Sequence, residues 1–181
     1  MPTDLNVHQT ALRRAFADGA PGVLVSGLVW IASGIAMART DIATAFAVLF
    51  FGGMAIHPLA TAMARFVLRC PADSAPNPLN RLAGESTVIL FAGIAVAYAL
   101  LGPAPALALP AFALFMAARY FVFRTLYGNV AYWVLGGCIA AVAGLALFGK
   151  PLPLGNIALQ VGIIEIVVSV ILFARWRQSP A

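Results

Sequence analysis

Four side chains set in greasy surroundings carry the chemistry this sequence offers: His57, Arg119, Glu165 and Ser169. An ionisable group in hydrocarbon is expensive, about 2.5–3.5 kcal/mol for Asp, Lys or Arg at a helix centre, unless it is hydrated or paired. Glu165 stands in the run Ile163-Ile164-Glu165-Ile166-Val167-Val168, near the middle of a long apolar stretch, with Ser169 one helical turn further along the same face. Its carboxyl must pair with a cation or keep its proton. His57 and Arg119 lie at comparable depths in their own apolar runs, and an arginine side chain is long enough to make an Arg119–Glu165 pair. The trio therefore reads as a polar site within a membrane, with proton exchange at Glu165 as its simplest chemistry. The same residues admit a structural reading: Arg119 snorkels to the headgroups, His57 bonds a backbone carbonyl, and Glu165 is a protonated packing group.

Around His57 the sequence adds Gly52, Gly53 and Pro58. Pro58 cannot donate to the carbonyl of Met54 and disfavours helical geometry at His57, so a helix kink is predicted there. Interrupted helices build ion and substrate sites in transporters, although prolines also occur in ordinary membrane helices. No cofactor and no metal site is expected. His57 is followed by PLATA and completes no HExxH, and GxSxG, the Walker lysine loop and CxxC are all missing. No catalytic residue is assigned.

The elements that must position these groups follow from composition. Of 181 residues, 62% are apolar and only 9% charged, where a water-soluble chain would be about one quarter charged. That deficit excludes a soluble enzyme, a disordered chain and a disulfide scaffold, and specifies an integral membrane protein. A helical span needs about 20 mostly apolar residues. Six segments meet or approach this, at about 20–38, 42–64, 86–102, 105–124, 129–148 and 154–174; the junctions are short apart from that between the second and third, and Gly or Pro punctuates the last three. Strands of a membrane barrel are rejected because these runs are apolar on every side and do not alternate. The predicted fold is all-α, a polytopic transmembrane bundle of six helices forming a single integral membrane domain over 1–181. The longest polar stretch, residues 70–84, reads as a turn-rich loop.

With six spans, one side collects Arg13, Arg14, Arg65, Arg69, Arg81, Arg119, Arg124, Arg175 and Arg177, and the other only Arg39 and Lys150. Cations stay on the cytoplasmic side, so both termini are expected in the cytoplasm, in a bacterial inner (plasma) membrane. The first apolar run is longer than the 7–15 residues of an export signal's core, and it is expected to remain as a span. The net charge of +5 reflects this bias. Basic clusters with interleaved aromatics are missing, so no nucleic-acid partner is expected.

Three runs end alike, at Ala64-Arg65-Phe66, Ala118-Arg119-Tyr120 and Ala174-Arg175-Trp176, with arginine separations of 54 and 56 residues. Two explanations stand: three serial helical hairpins, or independent placement of arginine and aromatic side chains at one interface. Gly136, Ala140 and Gly144 form a stripe of small residues that lets another backbone approach, within the bundle or across a homo-oligomer interface. Asn77, Asn80 and Glu85 suit a helix start before the third span. Trp30, Tyr98, Tyr127, Trp133 and Trp176 include candidates for the membrane interface. Cys70 and Cys138 are expected as free thiols.

The order RRAF…GLVWIASG, then HPLA, NPLNRLAGE and ARYFVFRTLYGNVAYWV resembles a family of small six-helix bacterial membrane proteins classed only as a domain of unknown function. The resemblance covers residues 13–148, and its most specific part is NPLNRLAG at 77–84. It implies a six-helix fold and no established activity. Three functions accordingly compete: a conduit or transporter for a small solute or ion lined by Glu165, His57 and Arg119; a structural or partner-binding subunit of the lipid bilayer; and a lipid-modifying enzyme with His57 as base and Arg119 holding a headgroup phosphate.

Overall fold

A computed structural model of the chain describes residues 4–71 and 77–178. Their α-helices are α1 (Asp4–Phe16), α2 (Ala20–Arg39), α3 (Ile42–Ala62), α4 (Pro78–Glu85), α5 (Thr87–Leu100), α6 (Pro105–Tyr127), α7 (Ala131–Leu147) and α8 (Ile157–Gln178). Among the described residues, five stretches are long and apolar enough to cross a bilayer: Asp4–Arg39, Ile42–Val67, Pro78–Leu100, Pro105–Tyr127 and Ile157–Gln178. The sixth, α7, has 17 residues, about 25 Å of helix against a hydrocarbon core of about 30 Å. Large apolar side chains such as Phe51, Met54, Phe66, Phe91 and Trp133 are exposed around the bundle, a surface suited to lipid. The protein is a multi-pass helical membrane protein.

Local chemistry sets the helix ends. The Asp41 carboxylate accepts from the amide of Thr44 at 2.7 Å and caps α3. Asn77 accepts from the amide of Leu79 at 3.0 Å, with Pro78 in the first turn of α4. Residues 78–84, read from sequence as loop, are thus helical, because proline at a first turn starts helices as well as turns. Residues 72–76 of that polar stretch lie outside the described residues. Asn156 Oδ1 accepts from the amide of Leu159 at 3.1 Å, while its Nδ2 donates to the carbonyl of Gly34 at 2.8 Å, fastening the start of α8 to α2.

Side by side, the spans follow the order α3, α2, α8, α7, α6, α5. The hairpins α2/α3 and α5/α6 pack extensively, α7/α8 more thinly, and α8 lies along α2 while α7 lies along α6. Gly136 is part of the α6/α7 approach, since a Cβ there would lie 3.0 Å from the carbonyl oxygen of Ala117; at Gly144 it would meet open space. Trp30 belongs to the core and not to the membrane interface: it is buried and stacks on Phe112 of α6 with ring centroids 5.7 Å apart. Both cysteines are free, Cys70 buried and Cys138 exposed.

The helix α1 buries Gln9, Leu12 and Ala15 along one face, a spacing of three that makes a single stripe. Leu12 packs on Leu79 and Leu126, joining α1 to α4 and α6. The chain then turns sharply through Ala17, Asp18 and Gly19, all with positive φ, and enters α2 with Pro21 in its first turn.

Candidate functional site

The interior site begins with a close backbone crossing. A Cβ on Gly27 of α2 would lie 3.0 Å from the carbonyl oxygen of Gly162 on α8, and one on Gly162 would lie 2.8 Å from that of Gly27. Only residues lacking a side chain permit this approach. Glu165 follows Gly162 by three residues and so shares its face, which sets it against α2 beside Ser26. The Glu165 carboxyl is fully buried. The hydroxyl of Tyr120, from α6, donates to its Oε1 at 2.6 Å.

Ser26 lies within electrostatic reach of both the Tyr120 hydroxyl and the Glu165 carboxyl. Its Oγ and Glu165 Oε2 nevertheless make no hydrogen bond of ordinary geometry. The walls are aromatic: Tyr120 stacks on Tyr132 at 6.2 Å and meets the edge of Phe123 at 5.9 Å. Three helices thus converge on one carboxyl, with one hydroxyl donating and another close by.

The chemistry follows from what touches Glu165. Among the described residues its carboxyl makes no ion pair, and a carboxylate held there by hydroxyls alone would be poorly compensated. The neutral acid fits better, with Oε1 accepting from Tyr120 and a proton on Oε2 that can turn toward Ser26 Oγ. The arrangement can therefore hold one exchangeable proton at the centre of the bundle.

The other residues singled out in the sequence are placed elsewhere. Arg119 is half-buried, its Nε donating to Ser86 Oγ at 3.3 Å and its guanidinium 4.8 Å from the centre of the Phe123 ring. It makes no ion pair with Glu165, because successive helical residues diverge by about 100° and Tyr120 takes the inward position. His57 is exposed on α3. Ser169 is buried, but its hydroxyl donates to the carbonyl of Ile166 in its own helix at 2.7 Å. The helix α3 continues through Pro58 and departs from α geometry only at a π turn, Met63–Val67. Gly52 serves packing, since a Cβ there would lie 2.6 Å from Val29 of α2, whereas at Gly53 it would meet nothing within 4 Å.

Sequence reasoning missed Tyr120 and Ser26 as partners of Glu165. Tyr120 was visible only as the aromatic beside Arg119, and Ser26 is a single small hydroxyl in an apolar run. A polar side chain on each span at matching depth was the available signal.

The model of a family of unknown function (DUF7010) matches residues 5–175. No curated protein and no solved structure matches the chain.

Proposed function

From the premise that the chain belongs to this family of unknown function, we propose that it is an ion conduit that carries protons across the bilayer. It acts in the bacterial inner membrane with both termini in the cytoplasm, and Glu165 is the group that takes up and releases the proton. One observation carries this reading: a fully buried carboxyl bonded by the Tyr120 hydroxyl, with Ser26 close by and no cation paired to it among the described residues, where three spans meet. Intramembrane acids in such positions mark proton relays. Tyr120 and Ser26 orient the carboxyl, and the Gly27–Gly162 crossing holds α8 close against α2 beside it.

The test is proton movement into liposomes containing the purified chain, read with a trapped pH-sensitive dye after a potential is imposed. The wild type is expected to carry a proton current; Glu165→Gln is expected to abolish it, and His57→Ala to leave it intact. A second reading, a structural subunit, is favoured by the dry packing of Glu165, which is fully buried. Equal currents from empty liposomes, wild type and Glu165→Gln would select that alternative.

A further inference from the structure

At the arginine-rich end of the bundle, away from Glu165, an open cavity of about 1000 Å³ is bounded by α1, the turn after it, the α6/α7 junction and the end of α8. Five arginines line it: Arg13, Arg14, Arg124, Arg175 and Arg177. Among the described residues the acid in its wall is Asp18. Cations are expected at the cytoplasmic face in general, so their number alone says little. Their anchoring says more.

The cavity wall is built around Asp18. Its side chain is only 8% exposed, and its Oδ1 lies 3.7 Å from Arg13 Nε. Asn129 Nδ2 donates to its Oδ2, and Asn129 Oδ1 in turn caps α7 at the amide of Ala131. The Tyr132 hydroxyl donates to the Asp18 carbonyl at 2.8 Å, and Arg13 also donates to the carbonyl of Tyr127. Ala17 and Asp18 hold positive φ without being glycine, a conformation that surrounding structure must enforce at some cost. The strained turn thus fixes one arginine and the α6/α7 junction, and the described lining sets five arginines beside one carboxyl.

A second feature adjoins it. A smaller recess of about 130 Å³ runs between α7 and α8, lined by Val134, Val168 and Ile171 and sharing Val130 and Arg175 with the larger cavity. Val134 and Ile171 are exposed at the lipid-facing surface. The charged cavity therefore continues into an apolar furrow on the same side of the bundle.

We propose that the cavity binds a phosphate-bearing anion, and that the furrow makes a phospholipid the source, its phosphate among the arginines and its chain along α7 and α8. Guanidinium groups match phosphate oxygens with paired, charge-assisted hydrogen bonds. The furrow supplies the apolar contact that a free phosphate cannot use. This inference stands whether or not the protein moves protons.

The test uses the full chain in detergent, with bound lipid read by native mass spectrometry and phosphate binding by calorimetry. Phosphatidic acid is expected to be retained at least tenfold over phosphatidylcholine. The pair Arg124→Gln and Arg175→Gln is expected to remove about tenfold or more of that retention, as lost charge-assisted bonds of ordinary strength require. Arg81→Gln, at an exposed arginine outside the cavity, should change nothing, and Val134→Trp should weaken lipid retention by filling the furrow. Inorganic phosphate binding as tightly as phosphatidic acid would overturn the lipid source while keeping the anion site. No preference for phosphatidic acid together with no phosphate binding would overturn both, as would a loss of retention equal in Arg81→Gln. Should the double variant not fold, the wild-type comparison and the Arg81 and Val134 variants still decide the matter.

Discussion

Replacing Tyr120 with Phe removes a single oxygen and keeps the stacked ring, so it isolates the hydrogen bond at Glu165. The hydroxyl donates at 2.6 Å to a fully buried acceptor. A neutral hydrogen bond contributes about 0.5–1.5 kcal/mol net, and a buried acceptor left without a partner costs about 1–3 kcal/mol. Tyr120→Phe should therefore destabilise the fold by about 1–2 kcal/mol, a loss at the lower end of the range expected if the partner were an uncompensated carboxylate. Glu165→Gln keeps an acceptor for Tyr120 and gains an amide that can reach Ser26, so its own cost should stay below about 1 kcal/mol. The two changes together should couple by at least about 0.5 kcal/mol, since both touch one bond. The assay is reversible unfolding in mixed micelles on titration with a denaturing detergent, with helix content as the signal. Strictly additive effects would show that Tyr120 and Glu165 do not interact. A loss well above 3 kcal/mol for Glu165→Gln would show that the carboxyl is an anion with a partner this account lacks.

Three further expectations concern the scaffold. Gly162→Val forces atoms into the α2/α8 crossing, where even a Cβ would lie 2.8 Å from a carbonyl oxygen, and should cost about 1–3 kcal/mol or more in the same unfolding assay; a neutral result would mean the helices are further apart. The amide of Thr44 holds the Asp41 carboxyl below its ordinary value, so its contribution is present above the unfolded value of about 4 and is lost as the pH falls through the folded one. Asp41→Asn should accordingly be less stable than wild type at pH 6 and indistinguishable near pH 2, whereas a difference independent of pH would exclude a role for the charge. Burial pushes the Cys70 thiol above its ordinary value, and Cys138 is exposed on α7 among residues that face lipid, so a water-soluble maleimide at pH 7 should label neither quickly until the chain is unfolded. Rapid labelling of Cys138 would place α7 in water.

The spans were legible because length and apolarity alone decide whether a helix can cross lipid, and Glu165 was legible because an acid in such a run is rare. Its partners were harder to read. Helices apolar on every side carry no stripe to say which face turns inward, so nothing in the sequence chose Tyr120 over Arg119 for the interior. Arginine proved the stronger attraction by charge, yet tyrosine is the side chain that packs and donates without needing a counter-ion. The helix α1 escaped notice for a different reason. Among residues 4–16 the buried positions are Gln9, Leu12 and Ala15, a stripe too weakly apolar to stand out beside six hydrophobic runs. The turn at Ala17 and Asp18 was equally hidden, since nothing but tertiary contacts holds those two residues at positive φ.

The charge state of Glu165 is the claim on which the proton mechanism rests, and infrared spectroscopy of the reconstituted protein reads it directly. The account predicts a protonated-carboxyl stretch at neutral pH that disappears in Glu165→Gln and moves in Tyr120→Phe. A spectrum in which Glu165→Gln removes only carboxylate bands would contradict it.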